Sequence, residues 1–380
     1  MEDVIVKDRL RLLLDHFGRV GDPREPAKVK YPLEEVLFLV TCATIAGCDD
    51  YDEIADWGAQ HLAFLRGHSE YYFGVPKEDW LRVVVNRIDP ALFEACFSAW
   101  ATSLRADAAD LIALDGKTLR RSGDSARGQK PLHLVSAWAS TQRLVLAQEA
   151  VDSKENECAA ILAILGRLDL RGALVTIDAI ATNPSVAETI TAAGGDYLLA
   201  LKRNQPTLHD EVVRYFDDPM AARLPGCERL DKDHGRIETR RTWVSHEVDW
   251  LASDRRYPDE PRFHALACLV KTTTRSEWRG KVTEETRYFI SSADLTPQRA
   301  ADAVRAHWGV ESLHWVLDVT FKEDLSRLRR GHGARNMALV RRLAFNLVRA
   351  GRGKRSIKTA RKAAGWDTEL LNQILTATIR

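Results

Sequence analysis

Leu111-Ile112-Ala113-Leu114-Asp115-Gly116-Lys117 and Leu174-Val175-Thr176-Ile177-Asp178-Ala179 decide the reading of this chain. Each is a short apolar run closed by an aspartate. Apolar runs of this length, too short for helices and bounded by turn residues, read as buried strands. Between and around them the pattern repeats. Leu132–Trp138 and Leu144–Gln148 read as two more strands, Cys158–Leu168 as an amphipathic helix, Pro184–Ala193 as a helix stopped by Gly194-Gly195, and Tyr197–Leu201 as a fifth strand. Three strands, a helix, a strand, a helix and a strand is the order of an RNase H-like core, an α/β fold with a mixed five-stranded sheet. Its βαβ units require parallel pairing.

Further out, the period changes twice. Residues 1–104 carry apolar positions at helical spacing, as in Leu33-Val36-Leu37-Val40, and read as an N-terminal helical accessory domain. Residues 105–350 read as the core domain. Within it, about 205–290 holds the alternating segments Thr239–Val248, Phe263–Lys271 and Val282–Ser291, expected as a β-rich insertion. The chain then returns to helix. Arg305 to Phe321 reads as one helix with His307, Glu311, His314 and Asp318 along a single face. Residues 351–380 read as a basic helical tail.

Composition is that of a globular protein: 380 residues, 45% hydrophobic, 29% charged, net charge +1. The distribution says more than the total. Residues 1–100 hold 11 Lys/Arg against 18 Asp/Glu, and residues 325–380 hold 14 against 2. Such asymmetry points to an anionic partner for the basic end, or to a solvated helix surface. The six cysteines are scattered without a C-x-x-C pair, as in a reducing compartment. The charged N-terminus lacks an export signal, and the longest apolar run, Val36 to Cys48, is too short to span a bilayer. A cytoplasmic protein without membrane contact is expected.

Two strand-end aspartates and a later helical glutamate, Asp115, Asp178 and Glu311, are the hard oxygen donors a two-metal phosphoryl-transfer site needs. Mg²⁺ is the expected ion, with Mn²⁺ substituting, and no small-molecule cofactor is called for. Each acid also has a plain reading: a turn residue, a strand end, a partner for an arginine. His307 and Glu311 could instead be zinc ligands, although no cysteine or third histidine is placed to complete that site.

These residues carry a resemblance that runs along nearly the whole chain. Asp22-Pro23-Arg24, Ala113–Arg120, Val175–Ala179, Asp196–Thr207, His234–Arg240, His307-Trp308-Gly309-Val310-Glu311 and Leu317–Asp324 together resemble the ISAs1 family of bacterial insertion-sequence transposases, related to H-repeat-associated proteins and IS4-like DDE transposases. The resemblance implies Asp115, Asp178 and Glu311 as the metal-holding, catalytic trio. It also implies double-stranded DNA as substrate (element ends and target), a homodimer assembled on DNA, and a nucleoid-associated location. The broader signature carries a tyrosine seven before the glutamate, an arginine four before it and a lysine seven after it; here those positions are Val304, His307 and Asp318, while Trp308 keeps the tryptophan. Glu323 is a second candidate for the third acid.

Lys117, Arg120, Lys202, Arg203 and Asn204 follow strand ends on the expected catalytic edge and are candidates for holding phosphates, with surface solubility as the alternative. His234, Arg236 and Arg240 open the insertion and are placed to reach a DNA end. His307 and Trp308 stand beside the glutamate as further contacts. Arg327, Arg329, Arg330, Arg341 and Arg342 are expected to track the backbone. The function expected is cleavage at insertion-sequence ends and transfer of the 3′-OH into target DNA. An inactive DNA-binding relic and a nuclease that cuts without joining are the alternatives.

Overall fold

Side chains that alternate between the two faces of a central sheet build an apolar layer on each side, so the core strands are buried almost throughout. A computed structural model describes residues 2–105, 109–151, 156–233, 235–252 and 262–377. Strands β1 (Leu111–Thr118), β2 (His133–Ala139), β3 (Leu144–Val151), β4 (Leu174–Ile177) and β5 (Asp196–Leu201) are the expected five. They lie in the order β3-β2-β1-β4-β5; β1, β4 and β5 run parallel, and β2 runs antiparallel to both of its neighbours, β1 and β3.

The sheet does not stop at five. β6 (Gly226–Asp233), β7 (Arg236–Ser245), β8 (Cys268–Trp278) and β9 (Lys281–Ser291) continue it from β5 through β9, making one nine-stranded sheet. Leu198 pairs with Ser291 and Leu201 with Tyr288. The expected insertion is therefore an extension of the core sheet, and β6 was missed because Gly226–Asp233 is too charged to show a hydrophobic alternation.

Helices α1 (Glu2–Gly18), α2 (Leu33–Ile45), α3 (Tyr51–Gln60), α4 (Leu62–Arg66), α5 (Glu78–Arg87) and α6 (Pro90–Ser103) precede the sheet. Asp50 and Asp89 cap α3 and α6 by accepting backbone N–H bonds. α7 (Glu157–Leu165), α8 (Pro184–Ala192) and α9 (Pro206–Asp217) pack with α10 (Asp249–Ala252) on one face, burying Ile112, Leu114, Val135 and Val175. On the other face, Ala113, Trp138 and Val145 join the N-terminal helices, α12 (Gly309–Val319) and α13 (Gly333–Gly351) in a single apolar core. α11 (Pro297–His307) precedes α12.

Residues 351–380, expected as a basic tail, hold α14 (Ile357–Trp366) and α15 (Thr368–Thr376), whose Ala360, Ala364, Leu370, Leu371 and Ile374 belong to that same core as far as it is described. The charge asymmetry is in part internal. Arg335 of α13 pairs with Glu94 of α6 and with Glu149 at 2.6 Å, Lys322 pairs with Asp49 at 2.7 Å, and Arg361 with Asp49 at 3.6 Å. No helix among the described residues is long and apolar enough to cross a membrane.

The helix expected from Arg305 to Phe321 is two helices meeting at Trp308. Gly309 weakens helix propensity there. It is also required by packing, since a Cβ on Gly309 would stand 2.8 Å from Trp138 Nε1. The break separates His307 from Glu311, His314 and Asp318, so the four polar residues do not share one continuous helix.

Candidate functional site

Asp115 and Asp178 come together because β1 and β4 run parallel in register. Leu114 pairs with Ile177, and each aspartate is the next residue. Asp178 ends its strand as expected. Asp115 does not: β1 runs on to Thr118, held by β2, so Asp115 sits inside a strand whose neighbour has already ended. That step in the sheet edge opens a cavity of about 220 Å³. Asp115, Asp178, Lys202, His307, Trp308 and Glu311 all line it. Period two then places Asp115 and Lys117 on the face covered by α12.

The three acids differ in environment. Burial, together with the charges of Asp178, Glu157 and Glu311, pushes Asp115 up to about 6. Asp178 is also pushed up by burial, but Lys202, the Ala179 backbone N–H and His307 outweigh this and hold it below its usual value. Lys202 Nζ donates to Asp178 Oδ1 at 2.9 Å and to Oδ2 at 3.3 Å. Glu311, in the first turn of α12, is exposed.

Two histidines back the site. His307 Nδ1 lies 2.8 Å from Thr176 Oγ1 on β4. Burial lowers its basicity, partly offset by Asp178. His314 Nδ1 stands 3.5 Å from Asp115 Oδ2. Burial and the nearby charges of Arg342 and Lys117 bring it down to about 3, so the imidazole is neutral at ordinary pH. Hard carboxylate oxygens around one cavity, with one carboxylate raised by burial and, to a lesser extent, by its acidic neighbours, are a donor set that a divalent cation would relieve. Among the described residues no group of three or more His, Cys, Asp or Glu side chains is drawn together closely enough to hold a metal ion.

The phosphate-holding candidates divide. Arg120, Lys202, Arg203 and Asn204 are exposed at the edge; Arg120 also pairs with Asp324 at 3.3 Å, and Asn204 donates to the Ala179 carbonyl. Arg327, Arg329 and Arg330 are exposed. Arg236 pairs with Glu238, and Arg240 with Glu238 and Asp231, in a groove across β6–β9 that meets the cavity at Glu285, Arg287, Val304 and Trp308. His234 lies outside the described residues.

Three expected contacts need correcting. Lys117 is buried, 2.6 Å from Asp318, 3.2 Å from Glu323 and 3.3 Å from Asp324. Arg342 is fully buried against Glu323 at 2.9 Å, and Arg341 is also buried. None of these cations is open to a DNA backbone. Glu323, the second candidate for the third acid, is fully buried in this network and does not line the cavity. Arg287, which no sequence signal marked, lines the cavity with its guanidinium 5.1 Å from the centroid of the Trp308 ring. Its alternation with Glu285 on β9 fixes its face, but only the β5–β9 pairing brings that face to the site.

Family profiles and relatives agree with this architecture. Residues 107–347 match the transposase DDE domain, and residues 14–101 match the domain associated with it. This chain belongs to the transposase DDE-domain family. The candidate transposase YncI of Escherichia coli O157:H7 is 34% identical over 379 residues, covering 96% of this chain and 95% of its own. The candidate H repeat-associated transposase YhhI of Escherichia coli strain K12 is 34% identical over 376 residues, 96% of this chain and 98% of its own. A protein from the dhlA 3′ region of Xanthobacter autotrophicus is 44% identical over 286 residues, 74% of this chain and 94% of its own.

Proposed function

We propose that this protein is a metal-dependent DNA transposase that cuts at the ends of its element and joins the freed 3′-OH to target DNA. One observation carries the reading: Asp115, Asp178 and Glu311, far apart in sequence, line one cavity at the stepped edge of a mixed sheet. The strand order β3-β2-β1-β4-β5 supports an RNase H-like core. Membership of the DDE family supports DNA as the substrate.

Asp115, Asp178 and Glu311 would hold Mg²⁺, or Mn²⁺ in its place. Bound there, such ions activate an oxygen nucleophile and stabilise the leaving oxygen of an in-line displacement. The chain's own residues do the rest. Lys202, Arg203 and Arg120 hold phosphates at the edge, and Arg236 and Arg240 extend that surface into the groove. His307, held by Thr176 and made less basic by burial, contributes a ring nitrogen at the cavity wall. The site works on duplex ends of the element, held by two copies of the chain assembled on DNA, in the cytoplasm at the nucleoid.

The test is cleavage and joining of a labelled duplex bearing the element's terminal repeats, with Mg²⁺ or Mn²⁺. Wild type should give cut and joined products, and Asp115→Asn, Asp178→Asn and Glu311→Gln should each lose them. Salt-sensitive binding without products from wild type would make the protein an inactive DNA-binding relic. Cleavage without joining of pre-cut ends would make it a nuclease.

A further inference from the structure

Lys202 occupies Asp178 in the way a metal ion would. Asp178 is the residue after β4 and Lys202 the residue after β5, on neighbouring parallel strands. The ammonium reaches both carboxylate oxygens, at 2.9 Å and 3.3 Å. Among the described residues no Lys or Arg makes an ion pair with Asp115 or Glu311. One acid of the trio therefore carries an internal counter-ion and two do not.

Resting on the cavity's reading as a cation site, we infer that Lys202 is an exchangeable counter-ion, displaced from Asp178 by the divalent cation and passed to a DNA phosphate. The ammonium and a divalent cation cannot both sit on the same two oxygens. Lysine suits the exchange, being a compact charge on a flexible stem. The pair is about half exposed on both sides, 56% and 49%, so it is weak enough to open. Lys117, buried among three carboxylates, could not do the same.

Once released, the Lys202 ammonium remains at the cavity rim beside exposed Arg203, where a phosphate would arrive. Cation and DNA then favour the same state, with Lys202 off Asp178. Binding of either must strengthen the other by the same factor. The lysine thus loads the site in step with its substrate, and in the DNA-free protein it restrains cation binding.

The experiment uses the full chain. Mn²⁺ binding is followed by electron paramagnetic resonance for wild type, Lys202→Met, Lys202→Arg and Asp178→Asn. Binding to a fluorescent duplex is followed by anisotropy, with and without Mn²⁺ at constant ionic strength. Lys202→Met should bind Mn²⁺ about three- to tenfold more tightly in the absence of DNA, from loss of the competing charge. It should also bind DNA more weakly, with a salt slope reduced by about 1, and show a smaller Mn²⁺-dependent gain in DNA affinity than wild type. Lys202→Arg, which can hold both oxygens as a fork, should bind Mn²⁺ no more tightly than wild type.

Equal or weaker Mn²⁺ binding by Lys202→Met would overturn the exchange while leaving the cation site standing, as would a Mn²⁺-dependent gain equal to wild type's. Wild-type Mn²⁺ binding that does not change in Asp178→Asn would instead overturn the cavity's reading as a cation site, and the exchange with it.

Discussion

Arg342→Met should be among the most damaging single changes outside the cavity. Arg342 Nη1 lies 2.9 Å from Glu323 Oε1, and both residues are fully buried. At an effective dielectric of about 20, that separation corresponds to a gross attraction of about 6 kcal/mol. Much of this is offset by desolvation, but removing one partner of a buried pair costs about 3–5 kcal/mol, and the lower end is expected here because Lys117 stays 3.2 Å from Glu323.

Burial alone would raise Glu323. Arg342, Lys117 and Arg341 outweigh it and bring the carboxyl down to about 2. A depressed acid contributes stability that is present above its unfolded value of 4.5 and lost as pH falls toward 2. Arg342→Met should therefore cost about 3 kcal/mol or more at pH 7, and should move the acid-induced loss to higher pH. Thermal and urea denaturation at pH 7 and pH 4 would measure both. In the double variant with Glu323→Leu the cost should fall well below the sum of the singles, because neither member of the pair is left buried without the other and Lys117 keeps Asp318 and Asp324 as partners. An Arg342→Met loss under about 1 kcal/mol, or strict additivity in the double variant, would refute the argument.

Two further outcomes follow from the same structure. Asp115 is raised to about 6 from 3.8 in the folded protein, so the native state binds more protons than the unfolded state across that window and stability falls as pH rises through it. In metal-free protein Asp115→Asn should thus be more stable than wild type by about 1–3 kcal/mol at pH 8, with the difference gone below pH 4, as read by urea titration. Gly309→Ala would place a Cβ 2.8 Å from Trp138 Nε1 at the start of α12. It should cost about 1–3 kcal/mol and, by displacing Glu311, lower cleavage at least about tenfold in the terminal-repeat assay; wild-type cleavage by this variant would show that the close approach does not set the position of Glu311.

Much of the core was legible locally. β4 is found where its short, mostly apolar run puts it, and α7 and α8 lie within a few residues of their expected bounds, because burial and capping signals are written in adjacent residues. Asp115 and Asp178 stood out for the same reason: a carboxylate closing an apolar run is conspicuous. The break at Trp308 was only half legible: Gly309 weakens the helix locally, but its close approach to Trp138, on β2, belongs to the fold.

Charge shows the limit most clearly. The surplus of basic residues after Leu325 pointed to an outside anion, yet Arg335, Arg341, Arg342 and Arg361 turn inward, three of them onto acids of the N-terminal helices or the core sheet and its flanking turns. Composition counts charges but does not say which face a helix buries. By itself the sequence determined the five core strands, most of the helices and the two conspicuous aspartates, because those depend on neighbours a few residues apart, while β6 and the continuation of β1 past Asp115 were not written there. Only the tertiary structure decided that β9 extends the core sheet beside β5, that Lys117 serves α12 rather than a phosphate, and that Lys202 sits on Asp178. Those outcomes depend on pairings between distant segments, where the geometry of packing selects among partners that local pattern leaves equivalent.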